Sequence, residues 1–88
     1  MAKKIDPDYK QELISLNDAL FDKEQELERI RMAVSAARFY LSGDPDNDER
    51  VYNLYGAMGN LRAKEKDVAD CRKRLEELVG EVFHHIID

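Results

Sequence analysis

Apolar residues recur at heptad spacing along most of the chain, in two arms separated by one polar stretch. In the first arm, one row holds Leu13, Leu20, Leu27, Val34 and Leu41, and a second row holds Tyr9, Leu16, Ile30 and Ala37, interrupted only by Lys23. An α-helix brings residues at this spacing onto one side. The first arm therefore predicts a long helix over about 7–42.

The second arm has a related pattern with a charged centre. One row holds Val51, Met58, Val79 and Ile86, and the other holds Leu54, Leu61, Val68, Leu75 and Val82. The middle of the first row is filled by Glu65 and Arg72, so a helix over about 46–86 would bring charge into the helix contact. We expect these side chains and Lys23 to reach the edge of the contact and pair there, with Lys23 near Glu65. The alternative is a polar site inside a larger bundle.

The polar stretch 42–47 predicts the turn between the arms. Gly43 is placed to end the first helix in a left-handed conformation. Asp6-Pro7-Asp8 and Asp44-Pro45-Asp46 repeat one helix-start signal, in which an aspartate caps the helix and proline occupies its first position. Gly56 and Gly59 either break the second helix or admit a close neighbour, and we favour a continuous helix because the heptad phase runs through them.

These elements predict an all-α fold, an antiparallel two-helix hairpin that forms a single domain over residues 1–88. Such a hairpin buries only one seam, and several large apolar side chains fall outside it. The candidate binding residues are Ile14, Phe21, Tyr52, Tyr55, Phe83 and Ile87, all assigned to one edge of the hairpin. Surfaces of this kind mark association, so we expect a homodimer that forms a four-helix bundle or, in competition, a helix from another protein.

Aromatic residues also gather at the turn end, where Phe39 and Tyr40 lie near Tyr52 and Tyr55. We expect this cluster to close the end of the core, with the tyrosine hydroxyls reaching water. The alternative is a recognition tip.

Charge narrows the range of partners. The net charge of −5 disfavours nucleic acid and anionic membranes, because both need an excess of cations. A basic run in the second arm faces an acidic run in the first, and we expect the two to pair between arms or between subunits. The alternative is that the basic run binds an acidic surface of a partner. The basic run is Arg62, Lys64, Lys66, Arg72, Lys73 and Arg74, and the acidic run is Asp22, Glu24, Glu26 and Glu28.

No apolar run follows Lys3 and Lys4, and Cys71 is the single cysteine, so we expect a cytoplasmic protein.

Catalytic and metal signals are weak. Asp44, Asp46 and Asp48 match the start of a calcium loop, but its glycine and its final glutamate are missing. Glu81 and His84 have the spacing of a di-iron ligand pair, yet the heptad phase turns them away from the seam. Cys71 has no neighbouring histidine to act as a base. We therefore expect no enzyme, no cofactor and no small-molecule substrate.

Three functional hypotheses remain. The first is a non-enzymatic interaction module, an adaptor, inhibitor or chaperone, that binds a protein partner through its exposed apolar face. The second is a self-assembling structural component with no other partner. The third is a metal-binding helical bundle that uses Glu81 and His84.

Overall fold

Two long antiparallel helices make up most of the protein. The computed structural model describes residues 3–87, in which α1 spans Pro7–Gly43 and α2 spans Asp48–Gly80. The helices pack along each other in a rod with extents of 67 × 16 × 15 Å. The predicted all-α helical hairpin is confirmed.

The two helices start differently, although their sequences repeat one signal. At α1 the side chain of Asp6 accepts from the backbone N–H of Asp8 at 3.0 Å, and Pro7 is the first helical residue, as predicted. At α2 the cap is Asn47, whose Oδ1 accepts from the N–H of Arg50 at 3.3 Å. The prediction that Pro45 opens the second helix is wrong, because the closer cap Asn47 starts α2 beyond it.

The end of α1 also differs from the prediction. Gly43 is the last helical residue, and no glycine among residues 3–87 has a positive φ. Instead the N–H of Asp44 donates to the carbonyl of Leu41 at 3.1 Å. Because a residue before proline is disfavoured in the helical conformation, Pro45 stops the helix without a left-handed glycine.

Helix α2 runs unbroken through its internal glycines. A Cβ added at Gly56 or Gly59 would meet nothing within 4 Å. Each glycine costs about 1 kcal/mol relative to alanine in a helix interior. Within residues 3–87, no contact at these two positions offsets that cost.

Helix α2 ends at Gly80, earlier than the predicted 86. The N–H of Glu81 caps it on the carbonyls of Leu78 and Val79, and a short 3₁₀ helix follows at Val82–His85. The last described residues form a strand, β2 (Ile86–Ile87), that pairs antiparallel with β1 (Lys4–Ile5). β-branched residues favour the extended conformation, and pairing with β1 supplies the hydrogen bonds that a frayed helix end would lack.

The core is a single layer of side chains between the helices. α1 buries Tyr9, Leu20, Leu27 and Val34, and α2 buries Val68, Cys71 and Leu78, with Leu16, Leu61 and Leu75 packed beside them.

The predicted phase of α1 is therefore right, whereas that of α2 is wrong by part of a turn. In α2 the second contact row is Ala57, Lys64, Cys71 and Leu78 rather than the row of Glu65 and Arg72, both of which are exposed. This rotation avoids burying those two charges, which would cost several kcal/mol without full pairing.

Candidate interaction surface

Shallow grooves border the seam between the helices on both sides of the hairpin. One side has a groove at mid-length, lined by Glu26, Ile30, Asn60, Ala63, Lys64 and Asp67, and another near the turn, lined by Ala36, Ala37, Tyr40, Arg50 and Asn53; we call this the Lys64 side. The opposite side has two grooves, lined by Leu13, Ile14, Asn17, Leu75 and Val79 near the chain ends and by Glu24, Leu27, Glu28, Arg31, Glu65, Val68, Ala69 and Arg72 at mid-length. We call it the Phe21 side, because Phe21 lies between Ile14 and Glu28 in the same heptad row.

Ion pairs between the helices dominate the Lys64 side. The amine of Lys64 lies 3.1 Å from a carboxylate oxygen of Glu26 and 3.5 Å from one of Asp67. Lys23 reaches the same Asp67 oxygen at 2.7 Å. Lys23 thus pairs at the edge of the seam, as expected, but with Asp67 rather than Glu65, because α2 is rotated from the predicted phase.

These contacts shift the pKa of two groups. The hydrogen bond from Lys23 is the main cause that lowers the pKa of Asp67 below its usual value. The hydrogen bond to Glu26 is the main cause that raises the pKa of Lys64. Each shift favours the charged form, so the pairs are stabilised in the folded state.

Half of the basic run in α2 is paired across the seam. Lys64, Arg72 and Arg74 reach Glu26, Glu24 and Glu12 of α1, respectively. Within residues 3–87, Arg62, Lys66 and Lys73 form no ion pair. The expected pairing between the arms is thus found for Glu24 and Glu26, whereas Glu28 lies 3.6 Å from Arg31 in its own helix.

The six predicted binding residues are all exposed, but they do not share one edge. Ile14 and Phe21 lie on the Phe21 side, with 45% and 60% of their surface exposed. Tyr55 is in the heptad row of Ala69 and borders the same side. Tyr52 lies in an outermost row of α2, since the contact rows are those of Leu54 and Ala57.

Phe83 and Ile87 lie beyond α2. Phe83 is in the 3₁₀ helix, and Ile87 pairs with Lys4 in the short ladder. Their predicted helical positions are wrong because α2 ends at Gly80.

Three apolar residues of the Phe21 side were missed from the sequence. Val51, Met58 and Val79 were assigned to the seam, yet they are 44%, 38% and 52% exposed. They share a heptad row with Glu65 and Arg72, which line the mid-length groove. Those two charges in one row were the signal that the row faces outward.

The aromatic residues at the turn end do not close the core, contrary to expectation. Phe39, Tyr40, Tyr52 and Tyr55 are 63–81% exposed. Arg50 stacks over Tyr40, with its guanidinium carbon 4.7 Å from the ring centroid, and donates to the Tyr40 carbonyl at 2.8 Å. One cation therefore fixes the backbone around the turn, while the rings stay in solvent.

The opposite end is closed by a contact that the sequence did not reveal. The Tyr9 ring stacks on His85, with centroids 4.0 Å apart, and its hydroxyl donates to the Leu78 carbonyl. The N–H of Asp6 donates to the His85 carbonyl at 2.8 Å. Burial, followed by the charges of Glu81 and Glu12, raises the pKa of Tyr9. The 3₁₀ helix brings His85 back over α1.

The other chemical candidates have these placements. The backbone N–H of His84 donates to the Glu81 carbonyl at 2.9 Å, and no three potential metal ligands come together within residues 3–87. Asp44 and Asp46 lie in the turn, and Asp48 begins α2. Cys71 is a free, buried thiol with its sulfur 3.9 Å from the Leu16 carbonyl oxygen.

In the described part of the chain, neither long helix has an apolar stretch that could cross a membrane. Comparison with models of protein families, with curated proteins and with solved structures finds no match. Functional inference therefore depends on the surface itself.

Proposed function

We propose that this protein is a small, non-enzymatic protein–protein interaction module of the adaptor, inhibitor or chaperone type. Its Phe21 side binds an apolar helical surface of another polypeptide. Ile14 and Phe21 from α1, with Val79 and Tyr55 from α2, supply the apolar contacts, and the charged groove at mid-length fixes orientation. The single buried cysteine fits a reducing compartment such as the cytoplasm.

The balance between exposed and buried apolar residues carries this proposal. Among residues 3–87, thirteen large hydrophobic side chains are exposed, and only seven residues form the buried core. Isolated apolar residues on a surface are ordinary, but several on one side mark a binding site. Six of the thirteen lie on the Phe21 side: Ile14, Phe21, Val51, Tyr55, Met58 and Val79. Large and aromatic side chains are also the ones that dominate binding energy at protein interfaces.

The shallow grooves of the Phe21 side suit a helix rather than a small molecule. The two grooves along the Phe21 side are open rather than enclosed, and they lie between rows of side chains. An amphipathic helix laid along such a groove presents residues every three to four positions to it. The occupant can be a segment of a different protein or, in a purely self-assembling component, another copy of this chain.

Affinity capture with paired variants tests the proposal. The double substitution Phe21→Asp/Tyr55→Asp places two charges on the Phe21 side, and we expect it to abolish retention of a stoichiometric partner. The matched control is Met32→Asp/Phe39→Asp, since these residues are 66% and 81% exposed on an outer row of α1. The control should retain the partner.

Circular dichroism completes the test by showing whether both variants remain helical. Equal retention by the two helical variants, or equal loss, would contradict binding through the Phe21 side.

A further inference from the structure

We propose that the polypeptide on the Phe21 side is a second copy of this chain, in a dimer whose twofold axis runs parallel to the helices. This inference depends on the proposed function, because it uses the same side of the hairpin. It also specifies the partner and the orientation. The carrying observation is that, at matching levels of the Phe21 side, opposite charges outnumber like charges in this orientation and not in the opposite one.

The register of the hairpin fixes which residues lie at one level. The numbers of facing residues add to 90 in three cross-seam contacts: Lys23 with Asp67, Glu26 with Lys64, and Tyr40 with Arg50. Residue i of α1 therefore lies at the same position along the rod as residue 90 − i of α2, and we call two such residues level with each other. The pairs Glu24 with Arg72 and Glu12 with Arg74 add to 96 and 86, because their long side chains reach along the rod. The relation therefore gives the level of each residue to within about one helical turn.

A twofold axis parallel to the rod places α1 of each copy against α2 of the other, at the same level. Glu28 then lies level with the partner's Arg62. Lys10 lies within about 6 Å, along the axis, of the partner's Glu76, and Arg38 lies equally near the partner's Asp48. Symmetry repeats each pair, so six opposite-charge pairs form across the interface.

Side-chain size matches in the same orientation. Phe21 lies level with the partner's Ala69, and Tyr55 lies level with the partner's Ser35, so each large ring faces a small residue. Near the chain ends, Ile14 approaches the partner's Val79.

Like charges also come close: Glu24 and Glu28 lie within about 5 Å, along the axis, of the partner's Glu65, and Arg31 lies equally near the partner's Arg62. Glu24 and Arg31 are already paired within their own chain, with Arg72 at 3.4 Å and with Glu28 at 3.6 Å, respectively.

A twofold axis perpendicular to the rod gives a poor match. It places α1 against the partner's α1 in the opposite direction, with the middle of the helix near the axis. Lys10 then faces the partner's Arg38, and Glu24 faces the partner's Glu28. Like charges at an interface oppose association, so the charge pattern selects the parallel axis.

The surface is large enough for a stable complex. The hairpin measures 67 Å by about 16 Å between Cα atoms. Specific protein interfaces bury roughly 800 Å² per partner, which is less than the area of that side. Two copies would form the four-helix bundle in which Phe21 and Val79 leave solvent.

Charge reversal with mixing tests the geometry. Glu28→Arg alone and Arg62→Glu alone each replace two attractive pairs in the dimer with two repulsive pairs, so each variant should dimerise at least about tenfold more weakly. An equimolar mixture restores both pairs, since the arginine at 28 of one chain meets the glutamate at 62 of the other. Light scattering coupled to size exclusion should show weak dimers separately and a tight dimer in the mixture.

The matched control reverses charges on the outer rows, with Asp18→Arg and Lys73→Glu. Each control variant should dimerise like the original chain, separately and mixed. Circular dichroism of every variant confirms that the helices are intact. Rescue cannot come from pairing within one chain, because the mixture holds the two substitutions on separate molecules.

Two results would overturn the inference, and they can be told apart from failure of the proposed function. A chain that stays at a mass of 10.2 kDa over a hundredfold range of concentration forms no dimer, although capture of a partner through Phe21 and Tyr55 could still succeed. A dimer that neither reversal weakens uses another geometry. A dimer unaffected by both the reversals and Phe21→Asp/Tyr55→Asp would also remove the proposed binding side.

Discussion

The two sides of the hairpin use the same seam in different ways. On the Lys64 side, the charged residues that border the seam pair with each other: Lys23 and Lys64 with Asp67, Lys64 with Glu26, and Arg74 with Glu12. On the Phe21 side, Arg72 and Glu24 form the one pair between helices seen in residues 3–87, and apolar side chains remain in water near both ends.

The difference separates folding from binding. Ion pairs at the edge of a seam satisfy their own polar groups, so the ion-paired stretch of the Lys64 side has little left to offer a partner. Near the turn the same side has a groove lined by Ala36 and Tyr40. Exposed Ile14 and Phe21 contribute little to the isolated hairpin, because most of their area stays in solvent. Their burial free energy is available to an interface, at about 25 cal/mol for each Å² removed from water.

The largest expected effect comes from comparing two adjacent residues of α1. Leu20 is 7% exposed in the core, and Phe21 is 60% exposed on the Phe21 side. Leu20→Ala should lower the free energy of unfolding by about 2–5 kcal/mol, because it leaves a cavity. Phe21→Ala should change it by less than about 0.5 kcal/mol in dilute protein. Urea denaturation measures both, and a costly Phe21→Ala would mean that this ring already packs within the chain.

Acid titration tests the Lys64 side. The pKa of Asp67 is lowered by the hydrogen bond from Lys23, so its stabilisation is present above the ordinary aspartate pKa of 3.8 and is lost as pH falls through the lower folded value. Asp67→Asn should reduce stability at neutral pH and weaken its dependence on pH in the acid range. Thermal melts across pH 2–7 would show this, and Asp22→Asn serves as a control on the acidic run of α1. If the melting temperatures of wild type and Asp67→Asn changed in parallel with pH, the acid dependence of stability would not come from Asp67.

Alkaline titration tests both Lys64 and the Tyr9 contact. The pKa of Lys64 is raised by its hydrogen bond to Glu26, and burial raises the pKa of Tyr9. Both contributions are present below the ordinary values of 10.5 and 10.0 and are lost as pH rises through the higher folded values. Lys64→Met and Tyr9→Phe should each remove part of the alkaline loss in melts above pH 9. If stability fell as steeply above pH 9 in both variants as in wild type, another titrating group would be responsible for the loss.

The smallest effect is expected from salt. Most of the ion pairs on the Lys64 side are partly exposed, and pairs of this kind contribute about 0–1 kcal/mol and are screened by ions. Raising NaCl from low concentration to 1 M should lower the melting temperature only slightly, and less in Lys64→Met than in wild type. A large drop in the melting temperature of both proteins would mean that the sensitivity to salt comes from groups other than the ion pairs of Lys64.

The hairpin could be predicted because long heptad rows and a polar turn leave few other folds. Apolar rows specify that a helix packs, but they specify its rotation weakly where charged residues interrupt them, as Glu65 and Arg72 do in α2. In the structure, α2 is rotated so that Cys71 and Lys64 lie at the seam, which keeps Glu65 and Arg72 exposed and lets Lys64 pair with Glu26 of the other helix. Such a pairing is set by three-dimensional register and is absent from the pattern of either helix alone.

The ends were predicted less well for a similar reason. Gly43 and Pro45 were recognised as turn residues, yet the competing cap Asn47 decided where α2 begins. At the chain ends, the extended preference of Ile86 and Ile87 depends on a partner strand from the far end of the sequence. Of the candidate binding residues, those within the helices were placed correctly as exposed, whereas Phe83 and Ile87 were assigned to a helix that had already ended.

The short ladder between β1 and β2 has a mechanical consequence. Because Lys4 pairs with Ile87 and Ile5 with Ile86, these two ends of the paired strands lie side by side at one end of the rod. Tension that pulls Lys4 and Ile87 apart acts across the ladder, so its hydrogen bonds break one after another rather than together. The two helices would then peel apart from that end toward the turn, which makes the hairpin compliant under an opposing pull.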